Sequence, residues 1–94
     1  MSERYVARVK EVFAVTGLGA VVVLDGTSAL PINEALDAII ERPDGSRIYA
    51  EAWKEWILRR IPTPVEIEAF RLKNLAPIDV PMGGEVTICR KRPG

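Results

Sequence analysis

The sequence contains no histidine and a single cysteine, Cys89, among its 94 residues. Without histidine the chain lacks the commonest general base near neutral pH and the commonest metal ligand. One cysteine cannot form an intrachain disulfide and, standing alone, builds no metal site. It reads instead as a small core or edge hydrophobe. The hydroxyls of Ser28, Ser46 and Thr63 have no imidazole to activate them. No Gly-x-x-x-x-Gly-Lys-Ser/Thr phosphate loop occurs. The Gly17-Leu18-Gly19 pair has Val22 where a dinucleotide fingerprint needs its third glycine. These absences point away from an enzyme, a bound nucleotide and any cofactor or metal. Apolar runs are short, 20–24 being typical, against the roughly 20 residues that cross a bilayer. Met1-Ser2-Glu3-Arg4 has no apolar signal core. The expectation is a cytoplasmic protein with no membrane partner.

Net charge is lacking as well. Thirteen basic side chains balance thirteen acidic ones, so no global field draws the chain to nucleic acid or membrane. The distribution is uneven: 6 basic against 9 acidic in residues 1–58, then 7 against 4 in residues 59–94. What is present is the balance of an ordinary globular protein, 48% hydrophobic and 28% charged. The length suits one small domain across 1–94, with a core over roughly 5–91 and a short basic tail.

The seven prolines divide the chain most clearly. Proline lacks the N–H that a central strand needs, so each marks a turn or an edge. Between them lie six stretches able to carry ladder hydrogen bonds: 5–15, 19–25, 36–42, 48–58, 65–75 and 85–91. Gly17-Leu18-Gly19 permits a tight hairpin between the first two. Pro43-Asp44-Gly45-Ser46 gives an Asp-Gly hairpin between the third and fourth. Pro81-Met82-Gly83-Gly84 turns into the last.

Alternation supports strands. Tyr5, Ala7, Val9, Glu11, Phe13 and Val15 fall on one face, with only Glu11 polar. Val65, Ile67 and Ala69 oppose Glu66 and Glu68, which read as a solvent face. Val86 and Ile88 oppose Thr87 and Cys89. Residues 20–24 are apolar on both faces, as in a central strand. Residues 48–60 compete: Tyr49, Ala52, Trp53, Trp56 and Ile57 also fit helical spacing. Periodicity alone leaves that segment open. The Asp-Gly turn before it favours a strand, which pairs with 36–42.

Glu11-Val12-Phe13-Ala14-Val15-Thr16-Gly17-Leu18-Gly19-Ala20-Val21-Val22-Val23 resembles the opening of the second domain of translational GTPases such as elongation factor Tu. That opening has an acidic residue, an apolar pair ending in Phe, then Gly-x-Gly-Thr-Val-Val. Leu75-Ala76-Pro77-Ile78-Asp79-Val80-Pro81-Met82-Gly83-Gly84 resembles the same domain's closing phrase. The resemblance covers roughly residues 5–90 and implies an all-β fold, a small closed six-stranded Greek-key barrel of the translation-protein type. It also favours a strand at 48–58. In the elongation factor the acidic-x-Phe stretch helps form the pocket for the aminoacylated end of transfer RNA. Glu11 and Phe13 match that stretch, whereas Ala20 and Val23 stand where the family has threonines.

Two further features are candidates for binding. Arg90, Lys91 and Arg92, with Arg59 and Arg60, make a basic cluster suited to RNA or phosphate. In a strand Trp53 and Trp56 point to opposite sides, and Trp56 shares its face with Ile48, Ala50, Ala52 and Leu58. The expectation is therefore Trp56 inside, and Trp53 outside on a partner or self-association surface. The function expected is a non-catalytic binding or interaction module. RNA- or ribosome-associated accessory protein and barrel subunit of a larger complex are the alternatives.

Overall fold

The computed structural model describes residues 4–17, 19–60 and 62–91. It is an all-β protein of six strands: β1 (Arg4–Val15), β2 (Gly19–Leu24), β3 (Leu36–Glu41), β4 (Arg47–Arg59), β5 (Val65–Leu72) and β6 (Glu85–Arg90). They close into a barrel in the order β1-β2-β5-β4-β3-β6. Each neighbouring pair is antiparallel. Closure removes the sheet edges that would otherwise invite aggregation. Each expected stretch forms a strand, and the contested 48–58 segment lies within β4. Residues 73–75, expected in the fifth strand, lie beyond its end and lead to a 3-10 turn at Pro77–Asp79.

Turn chemistry sets the hairpins. Gly45 has φ 88° in the β3–β4 turn, where its N–H donates to the Arg42 carbonyl at 2.9 Å. Asp44 locks that turn by accepting from the Ser46 N–H at 2.9 Å and the Ser46 hydroxyl at 2.6 Å. Those bonds hold the Asp44 carboxyl below the usual aspartate range.

The core fills by alternation. Leu36, Ala38 and Ile40 of β3, Val86 and Ile88 of β6, and Phe70 and Leu72 of β5 are buried together. β2 is buried on both sides: Ala20, Val22 and Leu24 join the interior, whereas Val21 and Val23 belong to a second cluster on the outer wall.

β1 departs from the simple alternation. Its register against β2 shifts between Val9 and Glu11, leaving Lys10 as an extra residue. Before this bulge Tyr5, Ala7 and Val9 pack on the interior; after it Val12 does, and Phe13 and Val15 pack on the outer cluster. The single face expected for 5–15 is thus divided between two cores. A bulge changes which parity faces inward, and nothing in the local residues announces it.

Strand lengths are unequal, with consequences for the surface. β4 has 13 residues but β3 only 6. Pairing of β4 with β3 ends at Leu36↔Ala52, and pairing of β2 with β5 ends at Val22↔Phe70. The β4–β5 ladder continues alone to Arg59↔Val65. Residues 53–59 and 65–69 therefore leave the barrel as a two-stranded ribbon.

Candidate interaction surfaces

The inner face of the ribbon is closed at its base by an ion pair. Lys54 Nζ lies 3.0 Å from Glu68 Oε2, with side chains 7% and 3% exposed. The ammonium also donates to the carbonyl oxygens of Leu30 at 2.7 Å and Ser28 at 3.3 Å. Glu68 in turn accepts from the Ser28 N–H at 3.1 Å to each oxygen. The connection between β2 and β3 is thereby pinned over one end of the barrel, with Leu30 buried in the core. Burial, helped by the Glu68 and Asp25 charges, raises the pKa of Tyr5, whose hydroxyl donates to the Asp25 carbonyl. Glu68 is therefore not on a solvent face, contrary to the sequence expectation. β4 alternation places Lys54 inward, and β5 alternation from Leu72 and Phe70 does the same for Glu68.

Past this ion pair the inner face is uncovered. Trp56 is 48% exposed and Leu58 53% exposed on this face. Trp56 does lie on the inward-facing side of β4, but beyond the last facing strand, so it is not buried as expected. Its ring sits 5.3 Å from Lys54 Nζ. Trp53, expected outside, is on the outer wall and only half-buried. Its indole N–H donates to Glu51 at 3.0 Å, and the Arg71 guanidinium lies 5.8 Å from its ring.

The outer face of the ribbon folds back on the barrel. Ile57 and Ile67 pack with Phe13 and Val15 around Val21, Val23 and Ala69. Across four strands the register aligns Phe13, Val21, Arg71 and Trp53 in one row. Sequence-selected Glu11, Phe13 and Trp53 therefore share a wall. That wall is closed: Val21 is 2% exposed and Val23 6%, even though both point away from the interior. Arg59 donates to Glu11 at 2.6 Å over it, and Arg71 donates to Glu55 at 3.0 Å. The Arg59 hydrogen bond holds the Glu11 carboxyl below the usual glutamate range.

The basic residues do not converge. Arg59 is tied to Glu11 on this wall, whereas Arg90 forms a fork to both oxygens of Glu34 at 2.8 and 2.9 Å. Lys91 donates to Asp37 at 2.8 Å, which raises its pKa, and lies 3.9 Å from Glu51. Arg92 lies outside the described residues. Sequence reasoning missed Glu51, which draws Trp53, Lys73 and Lys91 together. Its signal was position alone, on the outward parity of β4.

A third surface is the wall of β6 and β3. An open groove of about 620 Å³ runs over Ile39, Thr87 and Cys89 between charged rims.

Compared with protein families, curated proteins and solved structures, the chain matches none.

Proposed function

We propose that this chain is a non-catalytic interaction module, in which a rigid barrel holds out the β4–β5 ribbon for a protein partner. The observation that carries the reading is the exposure of Trp56 and Leu58 side by side on the uncovered face of that ribbon. Tryptophan is among the residues that most often dominate binding energy at protein interfaces. A large apolar side chain held on a two-stranded ribbon, clear of neighbouring strands, can be enclosed by a partner without rearranging the core. Resemblance to the second domain of translational GTPases supports the same reading, since that barrel serves as a binding module attached to other machinery. Of the cations expected to bind RNA, Arg59, Arg90 and Lys91 are engaged with Glu11, Glu34 and Asp37, which favours a protein partner.

The test is capture from the native cell with the wild type, with Trp56→Ser/Leu58→Ser and with Ile78→Ser at the exposed 3-10 turn. A partner retained by wild type and Ile78→Ser but lost by the ribbon variant is the expected result. All three proteins should melt within a few degrees of one another. If the ribbon variant stays folded and captures the same partner, the reading fails.

A further inference from the structure

We propose that the groove on the β6–β3 wall recognises one extended peptide segment of a partner protein, bearing a basic side chain and an acidic one about four residues apart. The groove is independent of the ribbon. Its volume of about 620 Å³ falls in the range of sites that enclose a small ligand or a few peptide residues. Its floor is made by side chains that β3 and β6 turn outward, Ile39, Thr87 and Cys89.

Most of the rim charge is already used. Arg47 pairs with Glu41 at 3.1 Å, Arg90 with Glu34 at 2.8 Å and Lys91 with Asp37 at 2.8 Å. Two lining charges have no ion-pair partner among the described residues: Arg4 and Glu85. Arg4 lies opposite Cys89, and Glu85 lies opposite Arg8. The open cation and the open carboxylate are thus four residues apart along paired strands, ~13 Å at the rise of an extended chain. A bound segment in the same conformation spans that gap in about four residues. Its acidic group would meet Arg4 and its basic group Glu85.

Between the two charges the surface is less polar. Val6, Thr87, Ile39 and Tyr49 stand in one row across four strands, with Val6 and Tyr49 exposed. The middle of the peptide would cross this row over Thr87, midway between the two charges. Four basic and three acidic lining residues nearly balance, and the two left open, Arg4 and Glu85, are of opposite sign, so a peptide of mixed charge complements the groove better than a polyanion.

The probe is the capped pentapeptide Lys-Thr-Val-Thr-Asp, titrated into isotope-labelled full-length protein while backbone amide shifts are followed. Asp-Thr-Val-Thr-Asp, Lys-Thr-Val-Thr-Lys and an oligouridylate of matched length serve as comparisons. The mixed-charge peptide should shift the amides of Ile39, Thr87 and Cys89 at a concentration roughly fivefold lower than either single-sign peptide. Arg4→Gln should abolish the advantage over the Lys/Lys peptide and Glu85→Gln the advantage over the Asp/Asp peptide, both at exposed positions and without changing the melting temperature. The proposal falls if no peptide shifts these amides, or if the single-sign peptides act equally well. It also falls if neither variant alters the preference, or if the oligouridylate binds there and the peptides do not.

Discussion

Arg59 of β4 and Glu11 of β1 meet at 2.6 Å although β2 and β5 lie between their strands. Across a flat sheet, three inter-strand spacings would separate those strands by ~14 Å. The contact therefore requires the ribbon to coil outward over β2, in the direction that right-handed strand twist favours. That coiling also explains why Val21 and Val23 are buried on an outer wall. The Glu11 carboxylate, a binding candidate in the sequence, is held here by the protein's own Arg59.

This pair should make stability weakly acid-sensitive. The Glu11 pKa is lowered in the folded protein, chiefly by the Arg59 hydrogen bond. Its contribution is complete above the unfolded glutamate value of about 4.3 and is lost as pH falls through the lower folded value. The pair is open to solvent, so screening keeps the effect small. Glu11→Gln should melt slightly below wild type at about pH 7, with the difference closing under acid. A difference that widens on acidification would contradict the assigned pair.

Trp56 and Phe70 separate position on the ribbon from position in the core. Phe70→Ala removes a fully buried ring and should cost about 3–5 kcal/mol. Trp56→Ala removes a half-exposed ring and should cost about 1 kcal/mol or less. Thermal melts of the two variants check the order. Iodide should also quench wild-type fluorescence more than that of Trp56→Phe, which retains only the half-buried Trp53.

The strand order of events was legible because prolines and Asp-Gly turns lie where hairpins must reverse. Alternation correctly turned Val86 and Ile88 inward. It went astray at Glu68 because local alternation does not say which parity faces the barrel; only pairing with β4 settles that. Trp56 failed for another reason. Inward parity buries a side chain only where another strand faces it, and the difference in length between β3 and β4 depends on long-range pairing. Glu11 and Phe13 were found together, but the Arg59 that covers them comes from 48 residues away.

Two turn glycines should respond differently to the same substitution. Gly17 and Gly19 both have positive φ, 80° and 90°. A methyl at Gly17 would meet nothing within 4 Å, whereas at Gly19 it would lie 3.0 Å from the Leu72 carbonyl oxygen and 3.1 Å from that of Leu75. Gly17→Ala should therefore cost only the backbone strain, about 1 kcal/mol. Gly19→Ala adds a clash with two backbone oxygens that cannot rotate away, and should cost at least ~2 kcal/mol. Urea denaturation of both variants gives the comparison, and equal midpoints would refute it.

The Lys54–Glu68 pair should be the most sensitive polar contact in the protein, with the two ends unequal. Lys54→Met leaves the Glu68 carboxylate buried without its counter-charge and removes the donor to the Ser28 and Leu30 carbonyls. Breaking a buried pair from one side costs about 3–5 kcal/mol, a large part of the stability of a small domain. Glu68→Gln keeps an acceptor for the Ser28 N–H, so the connecting loop stays partly pinned. It should cost less than Lys54→Met. Lys54→Met/Glu68→Gln should lose less than the two single variants summed, because the uncompensated buried charge is gone. Urea denaturation of the three variants and amide exchange at Ser28 and Leu30 read both effects. Additive losses, or unchanged loop exchange in Lys54→Met, would show that this ion pair does not hold the loop over the barrel.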